Sequence, residues 1–201
     1  MKLSIAIPLL AVPLVSAPVL AQTVTEPKSG VSFPAKTDGM SLLGVGLRTK
    51  TMLKVKVYAI GLYVADSALA GPLAAHKGKT GTPAFYRDLV AGDFGKQIVM
   101  KFVRDLSADQ IQGAFREVLT AANPQKTGLF VNYFGEIKAQ QEAVLRWTPG
   151  GTLEVNVAGL GKTPIEDKAF AAAVFGIWLG EKPIQDDIKR DLVSRAASLI
   201  P

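Results

Sequence analysis

The chain has 201 residues, 48% of them hydrophobic, and 23 Lys and Arg against 17 Asp and Glu for a formal charge of +6. With no cysteine and one histidine, it lacks the means for disulfides, thiolate or multi-histidine metal sites and a cysteine nucleophile, and a serine–histidine triad is disfavoured. The apolar content and a mean hydropathy of +0.24 exclude a disordered chain, and the length suits one domain with a buried core.

Residues 1–21 read MKLSIAIPLLAVPLVSAPVLA, with one charge at Lys2 followed by an apolar run. Val19-Leu20-Ala21 places acceptable residues at the −3 and −1 positions of a signal peptidase site. Pro8, Pro13 and Pro18 argue against a stable spanning helix. The segment therefore predicts a cleaved signal peptide over 1–21 and a domain over 22–201. With no cysteine for a lipid anchor and no second long apolar run, the expected product is a periplasmic protein without a transmembrane segment.

After a polar lead-in, residues 31–33 suggest a short strand. Leu43, Val45, Leu47 and Thr49 alternate with Gly44, Gly46, Arg48 and Lys50, a period of two that predicts a strand in which the glycines permit close approach. Leu53, Val55 and Val57 alternate with Lys54, Lys56 and Tyr58 before the apolar run 59–65. This predicts a strand that starts half exposed and ends buried. Residues 68–76 read as a short helix with His76 at its solvated end, then a loop over 78–83, and 97–104 as a third strand.

Ser107-Ala-Asp-Gln110 resembles a capping box. Ile111, Ala114, Phe115, Val118, Leu119 and Ala122 follow at helical spacing, and Asn123-Pro124 is expected to stop that helix. Residues 144–148 and 152–157 predict a hairpin around Pro149-Gly150-Gly151. Thr163-Pro164-Ile165-Glu166 reads as a second capping box. It would open a helix that buries Phe170, Ala173, Val174, Ile177 and Trp178 and ends at Gly180. A last helix is expected from Pro183 to Ile200, with Asp186 and Asp187 early and Lys189, Arg190 and Arg195 late, in accord with the helix dipole. Strands, then helices, then a hairpin, then helices predict an α+β fold, an antiparallel sheet with helices packed on one face.

Few residues suggest chemistry. Gly44-Val-Gly46 is too short for a dinucleotide loop and no helix follows it. Gly92 to Gly95 lacks the lysine and serine of a phosphate loop. The basic residues form no stripe and no aromatics interleave with them, so nucleic acid is not an expected partner. No metal site and no cofactor are expected.

The stretch 42–63, LLGVGLRTKTMLKVKVYAIGLY, resembles the chalcone isomerase-like family. So do FVRDLS at 102–107, opening a helix, and FGIWLGEKP at 175–183, before a final helix. The three blocks stand in the family's order. The resemblance implies an open-faced β-sandwich, an antiparallel sheet with helices on one face and a ligand cleft between them. The family's plant enzymes cyclise chalcones and place an arginine after the Gly-x-Gly strand, which Arg48 matches. Elsewhere the chain departs from them: Tyr58 stands where they carry threonine, Ile111 and Val118 where they carry tyrosine and asparagine, and Ile177 near a later Ser/Thr.

The family's non-catalytic fatty-acid-binding branch is a better match. It holds a carboxylate with an arginine and a tyrosine, roles that Arg48 and Tyr58 can fill. Their even spacing puts both on one sheet face if the two strands pair without a bulge. A guanidinium grips a carboxylate in a fork, and a phenol adds another donor. The expected function is binding of a small hydrophobic carboxylate such as a fatty acid, without chemistry. The expected ligand-binding residues are Arg48, Tyr58, Ile111, Val118 and Ile177. Two alternatives remain open: an isomerase or intramolecular lyase using Arg48 and Tyr58 on an unknown substrate, and a partner-binding protein whose cleft is filled.

Overall fold

The alternating stretches form the centre of an antiparallel sheet in the computed structural model, which describes residues 22–50 and 53–201. The predicted signal peptide at 1–21 lies outside the described residues. Strands β1 (Thr23–Thr25) and β2 (Ser32–Pro34) make a small separate hairpin, and β3 (Lys36–Thr37) opens the main sheet. Next come the long strands β4 (Met40–Lys50) and β5 (Val55–Ala65), then β6 (Lys96–Phe102). The predicted hairpin follows as β7 (Glu142–Thr148) and β8 (Thr152–Val157). Two-residue strands β9 (Leu160–Gly161) and β10 (Ile165–Glu166) both pair with β8. The strand order is β10-β8-β7-β6-β5-β4-β3, antiparallel throughout.

Alternation along β5 sorts its side chains onto two faces. Tyr58, Ile60, Leu62 and Val64 point into the main core beneath the helices, while Ala59 and Tyr63 join a smaller cluster on the other face. Phe33 of β2 belongs to that second cluster, and a Cβ at Gly61 would crowd its ring. The helices therefore cover one face, and the first hairpin covers part of the other.

Helix α1 (Asp66–Ala70) and a 3-10 turn (Ala74–His76) replace the single helix expected over 68–76. His76 is buried and not solvated: its Nε2 lies 2.6 Å from Asp88 Oδ2, and its ring packs edge-on against Phe85. Asp88 and Phe85 belong to α2 (Pro83–Ala91), a helix not anticipated, which Thr82 caps by accepting from the Phe85 N–H.

The capping box at Ser107 forms in both directions and opens α3 (Ala108–Val118). That helix ends at Val118, short of the expected stop at Asn123-Pro124, which instead starts α4 (Pro124–Asn132): the Asn123 side chain accepts from the N–H groups of Gln125 and Lys126. The expected capping box at 163–166 is instead strand β10. Asp167 caps α5 (Lys168–Leu179), which ends at Gly180 as expected. The final helix is broken into α6 (Asp186–Asp191) and α7 (Ala196–Leu199). Between them the Arg195 N–H donates to the Leu43 carbonyl and its Nη1 to the Leu42 carbonyl, so the break lets this segment serve the outer edge of β4. No helix among the described residues is long and apolar enough to cross a membrane.

Candidate functional site

The site begins with two glycines. A Cβ at Gly44 would collide with the Asp191 carbonyl oxygen, and one at Gly46 would stand 3.5 Å from the Ile188 Cα. Their bare surface lets α6 lie directly on β4, which brings Ile184 and Gln185 to the end of the strand. Past β3 no strand among the described residues lies beside the outer edge of β4, and Gln185 occupies the gap. Its Nε2 donates to the Leu47 carbonyl at 3.1 Å, and its Oε1 accepts from the Thr49 N–H at 3.1 Å. One amide side chain thus satisfies backbone groups that a neighbouring strand would otherwise pair.

Arg48 lies between those two residues and is half-buried. Its Nη1 donates to the Thr49 carbonyl (2.9 Å), to Gln185 Oε1 (3.1 Å) and to the Ile184 carbonyl (3.4 Å). One edge of the guanidinium is therefore pinned. Directly opposite in the β4–β5 register stands Tyr58. A register shift falls between Arg48 and Thr49, beyond the pair, and leaves both residues on the helix-facing side of the sheet.

Tyr58 is buried, and its hydroxyl accepts from Trp178 Nε1 of α5 at 3.1 Å. An indole N–H can only donate, so the phenol oxygen accepts this bond and its own hydrogen is directed elsewhere. Burial raises the phenol above its ordinary pKa, opposed by the Trp178 hydrogen bond and by the Arg48 charge. Tyr58 is accordingly a neutral donor at physiological pH.

Both side chains line a cavity of about 280 Å³ between the sheet end and α3. Val55, Val57, Leu106, Ile111, Phe115 and Ile184 supply apolar walls, and Lys50, Arg104 and Gln110 complete the lining. Phe115 forms the back wall, with Phe134, Phe130 and Trp178 at centroid distances of 4.8, 5.2 and 6.4 Å. The cavity lies open beside Arg48, which disfavours the alternative of a partner-binding protein with a filled cleft.

The structure brings Arg48, Tyr58 and Ile111 together at this cavity. Val118 and Ile177 do not line it. Val118 ends α3 and is 37% exposed, because the chain leaves the helix there and Leu119 turns inward in its place. Ile177 is buried in the core under α5. Lys50, Arg104, Gln110, Gln185 and Trp178 escaped the sequence reading. Only Trp178 carried a signal, its place on the buried face of α5.

A larger and more open groove of about 640 Å³ runs between α2 and the end of α5. Two of its polar groups are engaged within the protein: the Tyr86 hydroxyl donates to the Lys189 carbonyl at 3.2 Å and Lys189 Nζ to the Gly180 carbonyl at 2.7 Å, while Arg87 and Glu181 also line it. Among the described residues no group of three or more acidic or histidine side chains could hold a metal.

A family model described as chalcone isomerase-like matches residues 21–194. Fatty-acid-binding protein 1 of Arabidopsis thaliana is 30% identical, over 89% of this chain and 72% of its own length. Chalcone isomerase-like protein 1 of Humulus lupulus is 32% identical over 78% and 82%, and a chalcone–flavanone isomerase of Phaseolus vulgaris 29% identical over 85% and 88%. The crystal structure of an Arabidopsis thaliana fatty-acid binding protein superposes with a TM-score of 0.76 at 27% identity, covering 89% of this chain and 99% of that one.

Proposed function

Because the chain belongs to the chalcone isomerase-like family, we propose that it is a non-catalytic binder of a small hydrophobic carboxylate such as a fatty acid, exported to the periplasm. The observation that carries this reading is the Arg48–Tyr58 pair on the floor of an apolar cavity. The unpinned edge of the guanidinium and the free phenol hydrogen are donors beside an apolar cavity whose lining holds no carboxylate, an arrangement suited to an anionic oxygen. Ile111 would pack against the tail. The cavity volume falls just under the roughly 300 Å³ at which small-molecule sites usually begin, which favours short and medium tails over long ones. Export rests on the charge at Lys2, the apolar run after it and the Val19-Leu20-Ala21 site.

Native mass spectrometry of the purified protein, with lipid extraction, tests the reading. A bound fatty acid is expected, and Arg48→Ala should weaken its affinity about tenfold or more, the value of a lost charge-assisted hydrogen bond. No bound acid together with an unchanged affinity in the variant would sink it. The relatives named as chalcone–flavanone isomerases favour a second reading, in which Arg48 stabilises a developing enolate and Tyr58 donates a proton. Conversion of chalcone to flavanone, followed by absorbance and lost in Arg48→Ala, would promote it above the first.

A further inference from the structure

The cavity has more positive charge than one carboxylate can use. Arg48, Lys50 and Arg104 all line it and no acidic residue does. Among the described residues neither Lys50 nor Arg104 forms an ion pair. The nearby acids are engaged elsewhere: Asp105 accepts from the Ala139 N–H at 2.8 Å and pairs with Lys138 at 3.3 Å, and Asp187 accepts from Gln185 and from the Ile188 N–H.

The sheet register sets where the cations stand. Tyr58 pairs with Arg48 on one side and with Phe102 on the other. Arg104 lies two residues past Phe102, and Lys50 two residues past Arg48. A head group above the Tyr58 hydroxyl is therefore flanked by Lys50 at the end of β4 and by Arg104 just past the end of β6, on either side of β5. A single carboxylate gripped by Arg48 leaves the far side of that frame uncompensated.

We infer that the preferred ligands carry two negative charges at the head of a single hydrophobic tail, as in a malonate-type dicarboxylate. This rests on the proposal that the cavity binds hydrophobic carboxylates. It adds that Lys50 and Arg104 select among them: the second carboxylate meets these two cations while the first meets Arg48 and Tyr58.

Decanoate and octylmalonate differ by one carboxylate on the same tail and make the test, by calorimetry at pH 8 with the full domain. Octylmalonate is expected to bind about tenfold tighter at low salt, with the gap closing in high salt as exposed charges are screened. In the Lys50→Ala/Arg104→Ala double variant, whose replaced side chains are exposed, octylmalonate should weaken about tenfold and decanoate hardly at all, so that the gap closes. Equal affinities in the wild type, or a gap that survives in the double variant, overturns the inference while leaving the carboxylate proposal standing. Failure of both compounds to bind removes that proposal and this one together. Malonate binding as tightly as octylmalonate would show that the tail is irrelevant and overturn it as well.

Discussion

Two cations approach the helix-facing side of the sheet, and the fold treats them oppositely. Lys96 on β6 is fully buried, and its Nζ donates to the carbonyls of Leu89 (2.8 Å), Gly92 (2.9 Å) and Val90 (3.0 Å). Those carbonyls close the C-terminus of α2, the end of a helix that favours positive charge. Trp147 lies 3.9 Å from the ammonium, with Phe94 and Phe175 at 4.9 and 5.3 Å. Every proton has an acceptor and every side is covered. Arg48 is tied to the protein through one nitrogen only and keeps an edge toward a cavity. A cation with all its donors matched is a structural part, and one held by a single edge is available to a ligand.

The sharpest way to break this contrast is to exchange the consequences. Lys96→Met should cost about 3 kcal/mol of stability in urea unfolding, because it leaves three helix-end carbonyls without a donor. Decanoate affinity should hardly change. A variant that kept its stability and lost its ligand would reverse the assignment of the two residues. Arg48→Lys should do the opposite, lowering affinity about tenfold by replacing the planar fork with a point charge. Its melting temperature should stay close to that of the wild type, as seen by circular dichroism.

The smallest effect is a pH dependence belonging to Lys96. Burial pushes its ammonium down to about 7 from an ordinary 10.5, while the Asp93 carboxylate pulls it up and Lys168 adds to the lowering. The folded state then holds fewer protons than the unfolded chain between pH 7 and 10.5. The cost of burying the charge is fully present below pH 7 and is relieved as pH rises, so stability should rise by about 1 kcal/mol per unit above pH 7. Unfolding midpoints for wild type and Lys96→Met, compared at pH 7 and 8, isolate this contribution. A wild-type gain no larger than the variant's would show the ammonium persisting through the window.

The strands were legible because alternation is local. The glycine positions in β4 foretold a close approach, and α6 makes it at Gly44 and Gly46. Leu53 misled slightly: it fits the alternation of β5 but is exposed ahead of the strand, which begins at Val55. Helix boundaries were harder: Asn123-Pro124 reads as a stop but caps the start of α4, while α3 has already ended at Val118. Thr163 to Glu166 has a capping-box pattern, yet pairing with β8 claims Ile165 and Glu166 and hands the cap to Asp167. The regular spacing of Ile184, Ile188, Leu192, Ala196 and Ile200 concealed a break, because the edge of β4 competes for the backbone at Arg195. Burial of His76 and Lys96 depends on partners outside their own strand or turn, which no periodicity records. At the site, family resemblance singled out Arg48 and Tyr58. Gln185 reaches Arg48 from beside α6, and Arg104 reaches the cavity from past the end of β6, both only through tertiary packing.

The bond from Trp178 to Tyr58 has one further consequence. An indole nitrogen cannot accept, so covalent structure fixes the direction of this bond and no change of pH can reverse it. The phenol hydrogen is therefore left for another acceptor, and with the open edge of Arg48 beside it the floor of the cavity is rich in donors. Under the proposed function such a floor would distinguish a fatty acid from its ester by charge and from an amine by sign. Under that function it would also hand control of release to the ligand: acidification that protonated a bound carboxylate would remove what the floor recognises, while the protein's own donors stayed as they were.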